Sequence, residues 1–532
     1  MICSSLPSRA AWLVVASVVV LAPLASAQSD VGTSTWLPPR PIEGSLLMTG
    51  SSKVSNSTLQ TFQLLAGDAD AQLVLITGDG DSDLHRRWRE LGESARVINT
   101  GSLAEMKTLD RKMLEQATGV WLDDVSIGSL EAAEITQPLR EILSAGGAVG
   151  GSGKGAESLG EFVRSKAGPV MKGLGLFPDA MIEAGDAEVE DFNATLTSLP
   201  DVVGWKIPSG GVVVIHRGRR VAVLGESEIT ACVPAKGDWP SRVQTFAPPV
   251  DYLPYTTDLL SWRRSARQRR DPLFPPIDPP ATRLKSGTLI LIGGGGSTDP
   301  MWERLIKEAG GTNAKFVCVP TAGLRTDETV EDSFGARQLR ERGCKTIKVI
   351  HTINPDRANG DNELINAIKE ADAVFFGGGR TLRLMDAYQN TQFHQALFGV
   401  LDRNGVIAGT SAGAQVAGDY MVRGDPRDND PIRYEGYETA FAFLQGVIID
   451  AHFRQRERTY PFKQLMMRYP QMLGIGIDEA TAIVVHGEVA EVLGRNAISF
   501  FDYRGVPKGD APDPIVLREG QRYHLADRKT LD

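Results

Sequence analysis

Short runs of β-branched and aromatic residues recur along the chain and alternate with stretches whose apolar positions fall three or four apart. Residues 71–77, 315–319, 346–350 and 373–376 read as strands; residues 300–309 and 362–370 read as helices. This alternation predicts an α/β fold with a mostly parallel, doubly wound sheet, whose ligand sites gather at the carboxyl ends of the strands. The pattern also repeats. Ser45-Leu46-Leu47-Met48-Thr49-Gly50 echoes Thr288-Leu289-Ile290-Leu291-Ile292-Gly293, residues 71–78 echo 314–321, residues 117–122 echo 371–376, and residues 147–156 overlie 405–414. Self-similarity over nearly the whole chain predicts two tandem copies of one domain.

Composition adjusts this picture in a few places. With 532 residues, 42% hydrophobic and 23% charged, there is globular material for two or three domains, and the net charge of -9 argues against nucleic acid as a main partner. Arg9, an apolar run over 10–24 and Ala25-Ser26-Ala27 have the layout of a signal peptide over 1–27, which predicts a secreted or periplasmic protein without a stable membrane anchor. Beyond it, Cys232, Cys318 and Cys344 have no metal-like spacing, so they read as buried free thiols, with no cofactor and no metal implied. The segment 236–284 mixes prolines with the basic run Arg263, Arg264, Arg267, Arg269, Arg270 and reads as an extended linker, solvated or in interdomain contact. The copies are therefore placed at 40–235 and 285–503, with a short β-rich extension at 504–532.

The candidate chemistry lies in the second copy. A strand over 405–408 runs into Gly409-Thr410-Ser411-Ala412-Gly413, and helix-compatible residues follow. A serine on such a turn projects its Oγ from the fold with a helix N-terminus behind it. Further on, an apolar run ends in Asp450-Ala451-His452-Phe453-Arg454-Gln455-Arg456-Glu457-Arg458, and another ends in Asp478-Glu479. Serine, histidine and an acid are the parts that activate a hydroxyl at neutral pH. Their order here, Ser then His then acid, is not that of the α/β-hydrolases.

Taken with Gly377-Gly378-Gly379-Arg380, these four ordered motifs resemble those of the cyanophycinase-like serine peptidases, relatives of the aspartyl dipeptidases, over about 285–503. The resemblance implies a class I glutamine amidotransferase-like fold. It also implies hydrolysis of isopeptide bonds to aspartyl groups, as in the arginine-decorated poly-aspartate cyanophycin. It makes Ser411 the nucleophile, His452 the general base and Glu479 the orienting acid, with Asp478 the weaker candidate. Backbone N–H groups of Ala412, Gly378 and Gly379 would form the oxyanion hole. Arg380, Asp450, Arg456 and Arg458 are the substrate-binding candidates, and the expected partner is a peptide or poly-aspartate-type substrate, with a homodimer left open. Two positions depart from the family pattern: Ala451 stands where glutamine is usual, and Gly379-Arg380 where a glutamine follows the glycine pair. In the first copy the repeat places Gly153, Gly185 and Ser209 at the three catalytic positions, so that copy is expected to be degenerate. A non-catalytic peptide- or polymer-binding protein on the same fold is the alternative.

Overall fold

The computed structural model describes residues 42–532 apart from 52, 79–82, 91–95, 100–107, 126–134, 165–168, 187–188, 200, 249–255, 329 and 508. The signal-peptide reading lies outside the described residues. Among them, no helix is long and apolar enough to cross a membrane.

The chain builds two pairs of sheets. In the first half, strands β1 (Ser45–Thr49), β2 (Leu73–Thr77), β3 (Arg96–Asn99), β4 (Gly119–Asp123) and β5 (Ala148–Ser152) are parallel in the order β3-β2-β4-β5-β1. A smaller sheet follows from β6 (Gly160–Val163), β7 (Met171–Lys172), β8 (Phe177–Ala184) and β9 (Val203–Ile207). Strands β10 (Gly211–His216) and β11 (Arg220–Gly225) then extend the first sheet antiparallel from β1, while β12 (Ile229–Val233) and β13 (Arg242–Phe246) extend the smaller sheet from β9. The short β14 (Thr257–Asp258) closes the edge at β11.

The second half has the same plan. Strands β15 (Thr288–Ile292), β16 (Lys315–Val319), β17 (Thr346–Val349), β18 (Ala373–Phe376) and β19 (Val406–Thr410) run parallel in the order β17-β16-β18-β19-β15. β20 (Val447–Ala451) and β21 (Leu473–Ile477) pair in parallel in a smaller sheet. β22 (Thr481–His486) pairs antiparallel with β15 and β23 (Val489–Gly494) with β22, and β24 (Ala497–Asp502) flanks β21. The central strands are apolar along their whole length because helices or the neighbouring sheet cover both faces, so Leu289, Ile290, Val374, Ala408, Val447 and Ile475 are fully buried. The tail is not a separate piece: β25 (Ile515–Arg518) pairs with β24, and β26 (Arg522–His524) with β23, so residues beyond 503 complete both sheets.

The segment 236–284 corrects the expectation of an extended linker. Besides β13 and β14 it holds a helix, Leu259–Gln268, capped by Asp258, whose carboxylate accepts from the N–H groups of Leu260 and Ser261 at 2.9 and 3.3 Å. Its arginines find partners inside the protein. Arg263 Nη2 donates to Pro178 O at 2.9 Å and Arg267 pairs with Asp201 at 3.1 Å, both in the first half. Arg264 instead reaches the second half, donating to Gln389 Oε1 at 2.6 Å and Asp386 Oδ1 at 3.3 Å. Arg219 of the first half meets the same Asp386 at 2.8 Å, as does the Tyr437 hydroxyl at 2.8 Å. The basic run therefore joins the two halves through buried, paired charge. Cys232, Cys318 and Cys344 are free and buried, and burial pushes the first two thiols up to about 12.

Candidate active site

Five strand ends of the second half converge. β19 stops at Thr410, and Ser411 takes φ 54°, ψ -116° before the single helical turn Ala412–Gln415. β20 delivers His452 (φ 52°), and β21 leads through Asp478 to Glu479 and Ala480 (φ 51°). Positive φ at non-glycine residues is strained by about 1–3 kcal/mol each and persists only where surrounding structure imposes it. The end of β15 and the loop after it, Gly293–Gly296, impose it here: Ser411 N–H donates to Ile292 O at 2.9 Å, His452 N–H to Gly293 O at 2.8 Å and Ala480 N–H to Gly294 O at 2.9 Å. A side chain at Gly294 would run into the imidazole of His452, and one at Gly295 into the carboxylate of Glu479. This glycine loop was not singled out by sequence reasoning, although a run of four glycines at a strand end was the available signal.

The three side chains form one line. His452 Nε2 lies 2.8 Å from Ser411 Oγ, and His452 Nδ1 lies 2.7 Å from Glu479 Oε1. A carboxylate can only accept, so Nδ1 carries the proton and Nε2 is left as the acceptor for the serine hydroxyl. Burial lowers the His452 pKa below its ordinary 6.5, Arg456 and Arg458 push the same way, and Glu479 opposes them. The imidazole is therefore neutral at neutral pH. Asp478 turns away from His452: it is fully buried and accepts from Arg454 Nε at 2.6 Å, Arg454 N at 3.1 Å and Ala497 N at 3.2 Å.

Beside Ser411, Gly378 approaches so closely that a Cβ there would lie 3.2 Å from the serine Cβ and 3.7 Å from Oγ. Gly379 has φ +145°, and a side chain would meet Ala322 O. Among the described residues the N–H groups of Ala412, Gly378 and Gly379 have no acceptor, which leaves all three able to face a ligand oxygen.

The cleft over Ser411 and His452 is lined by Gly379, Thr381, Gln415, Arg423, Asn429, Arg456 and Arg458. Two of the substrate-binding candidates are corrected. Asp450 is fully buried, with Oδ1 accepting from Gln415 Nε2 at 2.8 Å and Arg458 Nη1 at 2.7 Å, and Oδ2 from Arg423 Nη2 at 2.9 Å, so it lies behind the cleft and orients the groups that line it. Arg380 turns its guanidinium toward the carbonyls of Asp425 and Asp428 and stands beside the lining. Arg456 and Arg458 do line the cleft. Arg423 and Asn429 were missed because nothing in their local sequence marks them, whereas Thr381 and Gln415 adjoin the motifs at 377–380 and 409–413 and were not given a role. Among the described residues, no group of three or more His, Cys, Asp or Glu side chains could hold a metal ion.

In the first half a similar turn has glycine where Ser411 stands. Gly153 has φ 53°, ψ -125°, almost the backbone of Ser411, and its N–H donates to Thr49 O at 3.3 Å as Ser411 does to Ile292 O. Gly185 follows β8 and Ser209 follows β9. Where Gly378 faces Ser411, Asp124 faces Gly153, its Oδ1 only 2.7 Å from where a Cβ would stand. Below it, buried Glu183 pairs with Arg164 (2.9 Å, Nε to Oε2), at the strand position of Asp450.

Residues 289–493 match the model of peptidase family S51. A cyanophycinase from Geminocystis herdmanii is 30% identical over 46% of this chain and 95% of its own length. The chain belongs to peptidase family S51. A second family member, a cyanophycinase from Synechococcus elongatus, is 28% identical over 43% of this chain and 77% of its own. A solved peptidase structure from an acI-B1 Actinobacterium aligns over 46% of this chain and 98% of that one, with 22% identity and a TM-score of 0.35.

Proposed function

We propose that the protein is an exported serine hydrolase that cleaves isopeptide bonds to aspartyl groups, and that its first half is a non-catalytic second copy of the same domain. The observation that carries the reading is the unbroken Ser411–His452–Glu479 hydrogen-bonded line on a nucleophile turn. In this mechanism His452 Nε2 takes the Ser411 proton as Oγ attacks the carbonyl carbon, and Glu479 stabilises the imidazolium that forms. The N–H groups of Ala412, Gly378 and Gly379 receive the oxyanion, a contribution of roughly 3 kcal/mol per donor. His452 then returns the proton to the leaving amine, and water releases the acyl group from Ser411 by the same steps. Arg456 and Arg458 hold substrate carboxylate. Relatives bearing the name cyanophycinase support the aspartyl substrate class, and the shared strand order of the two halves supports duplication. Residues 1–27 act as the export signal.

The test is turnover of β-aspartyl dipeptides by the protein lacking residues 1–27, with Ser411→Ala alongside, and covalent labelling by a serine-directed phosphonate. Turnover and labelling lost together in Ser411→Ala are expected. Labelling of Ser411 without turnover would reject the substrate class, and absence of both would favour a binding protein.

A further inference from the structure

We propose that the first half is a positioning element for the active site: its arginines Arg219 and Arg264 complete a buried polar joint that fixes the two segments of the second half carrying groups around Ser411. This rests on the hydrolase reading above and gives the first half a part in it. One segment is the helix Thr381–Tyr388, whose first residue lines the cleft and which follows closely on Gly378-Gly379. The other is the irregular stretch 421–438, which brings Arg423 and Asn429 to the cleft. The two are tied together twice. At the cleft, Thr381 Oγ1 donates to Arg423 O at 3.1 Å; at the far end, the Tyr437 hydroxyl donates to Asp386 Oδ1 at 2.8 Å. Thr381 and Asp386 lie on one helix, roughly 7 Å apart along its axis at 1.5 Å per residue, so the two ties close a frame that holds the cleft-lining groups.

The far tie is the one that the first half completes. The Asp386 side chain is 12% exposed and takes Arg219 Nη1 at 2.8 Å and Arg264 Nη2 at 3.3 Å. Arg264 Nη1 donates to Gln389 Oε1 at 2.6 Å, just past the helix, and Gln389 Nε2 donates to Thr439 Oγ1 at 2.9 Å. The Arg264 guanidinium also lies over the Tyr437 ring at 4.9 Å, and Arg219 Nη2 donates to the Tyr437 hydroxyl at 3.1 Å. Both arginines are held from the other side: Arg219 Nε donates to Asp258 Oδ2 at 2.6 Å, and Arg264 stands on the helix Leu259–Gln268, whose Leu259, Trp262 and Ala266 belong to the core of the first half. The same helix meets the second segment again. Ser265 Oγ donates to Glu435 Oε1 at 2.9 Å, and the Ser261 carbonyl leaves Gly436 no room for a side chain. Without the two guanidiniums, a nearly buried carboxylate would keep a single hydroxyl donor, and this end of the helix would turn to bring Asp386 to water. The other end of that helix is the cleft.

The experiment combines Arg219→Gln with Arg264→Met in the full chain and follows the rate of Ser411 labelling by an uncharged serine-directed phosphonate, well below Tm. Such a probe senses the oxyanion donors without needing a substrate carboxylate. A 1 Å misplacement can cost about 10²-fold, and the helix keeps its apolar face in the core, so a slowing of about tenfold is expected. Arg264→Lys in place of Arg264→Met keeps a charge on Asp386 and should recover most of the rate. Tyr437→Phe deletes one hydroxyl, leaves both arginines in place and should slow labelling about threefold, the worth of one hydrogen bond. Glu183→Gln breaks a buried pair of the first half outside the joint and should not slow it. Unchanged labelling in the double variant, or in Tyr437→Phe where the double variant does not fold, would overturn this inference and leave the hydrolase reading standing, as would equal slowing by Glu183→Gln. Absence of labelling in the unsubstituted protein would overturn both together.

Discussion

Replacing Asp450 by asparagine separates the support of the site from its chemistry. The side chain is fully buried, and every neighbour of its two oxygens is a donor: Gln415, Arg458 and the Ala451 N–H at Oδ1, Arg423 at Oδ2. An amide in that position must turn its NH2 toward Arg423 or toward Arg458 and Gln415, so donor faces donor in either orientation. Both guanidiniums are nearly as buried as the acid, with side-chain exposures of 4% and 6%. Removing one member of such a group leaves charge without a counterion and costs about 3–5 kcal/mol, which for a unit of this size lowers Tm by roughly 10 °C. Because Gln415 lies in the turn after Ser411 and Asp450 two residues before His452, the rate of Ser411 phosphonylation should fall as well. The comparison is Glu183→Gln, which cuts the equivalent Arg164 pair in the first half and should lower Tm without slowing Ser411. Calorimetry and the inactivation rate read both. A D450N protein with unchanged Tm and unchanged inactivation would refute the anchoring argument; equal slowing by both variants would show that the effect is global.

Two further outcomes follow from the same geometry. In the proposed mechanism His452 must be neutral to take the Ser411 proton, and burial with Arg456 and Arg458 lowers its pKa, so the acid limb of kcat/KM should lie below pH 6.5. Since the folded pKa is depressed, the unfolded chain binds this proton first, and His452 contributes stability that is full above pH 6.5 and lost as pH falls toward the folded value. Arg456→Gln removes one lowering charge and should move the acid limb up; a shift down would contradict the assignment. In the first half, Gly153→Ser in a Ser411→Ala background should give no phosphonate adduct by mass spectrometry. Asp124 stands against that position and Gly185 offers no base; an adduct at residue 153 would show a usable second site.

What could be read from the sequence was local or periodic. The apolar runs gave the strands because central parallel strands are buried on both faces, and the serine turn was visible because strand, glycines and helix are adjacent in the chain. The histidine and acid could be found because each ends an apolar run. Arg423 could not: it sits in an irregular stretch and acquires its meaning only when β20 brings Asp450 beside it. Gly293–Gly296 was legible as a turn but not as a constraint, since what it supplies is room for His452 and Glu479, both far along the chain. The misreading of 236–284 has a similar cause. Leu259, Trp262 and Ala266 form an apolar helix face, hidden among arginines whose counterions lie in distant segments.

The two halves also show what the site adds to its scaffold. Gly153 and Ser411 share nearly the same φ and ψ and the same hydrogen bond to the neighbouring strand, so the sharp turn belongs to this strand-helix junction and does not depend on a nucleophile being present. Glycine adopts it freely, whereas an L side chain is strained there by about 1–3 kcal/mol. In the first half glycine stands at that turn, and Asp124 (φ 48°) occupies the space that Gly378 leaves open opposite Ser411. In the second half positive φ occurs at Ser411, His452 and Ala480 together, Ser411 tied to the end of β15 and the other two to the loop that follows it. Positive φ at a residue with a side chain thus moves from the turn at Ser411 to Asp124 in the first half, while the buried acid-arginine pair is present in both halves. That division is why Asp450 is expected to act on the site through position, while in the proposed mechanism Ser411 and His452 act on the substrate and Glu479 acts on His452.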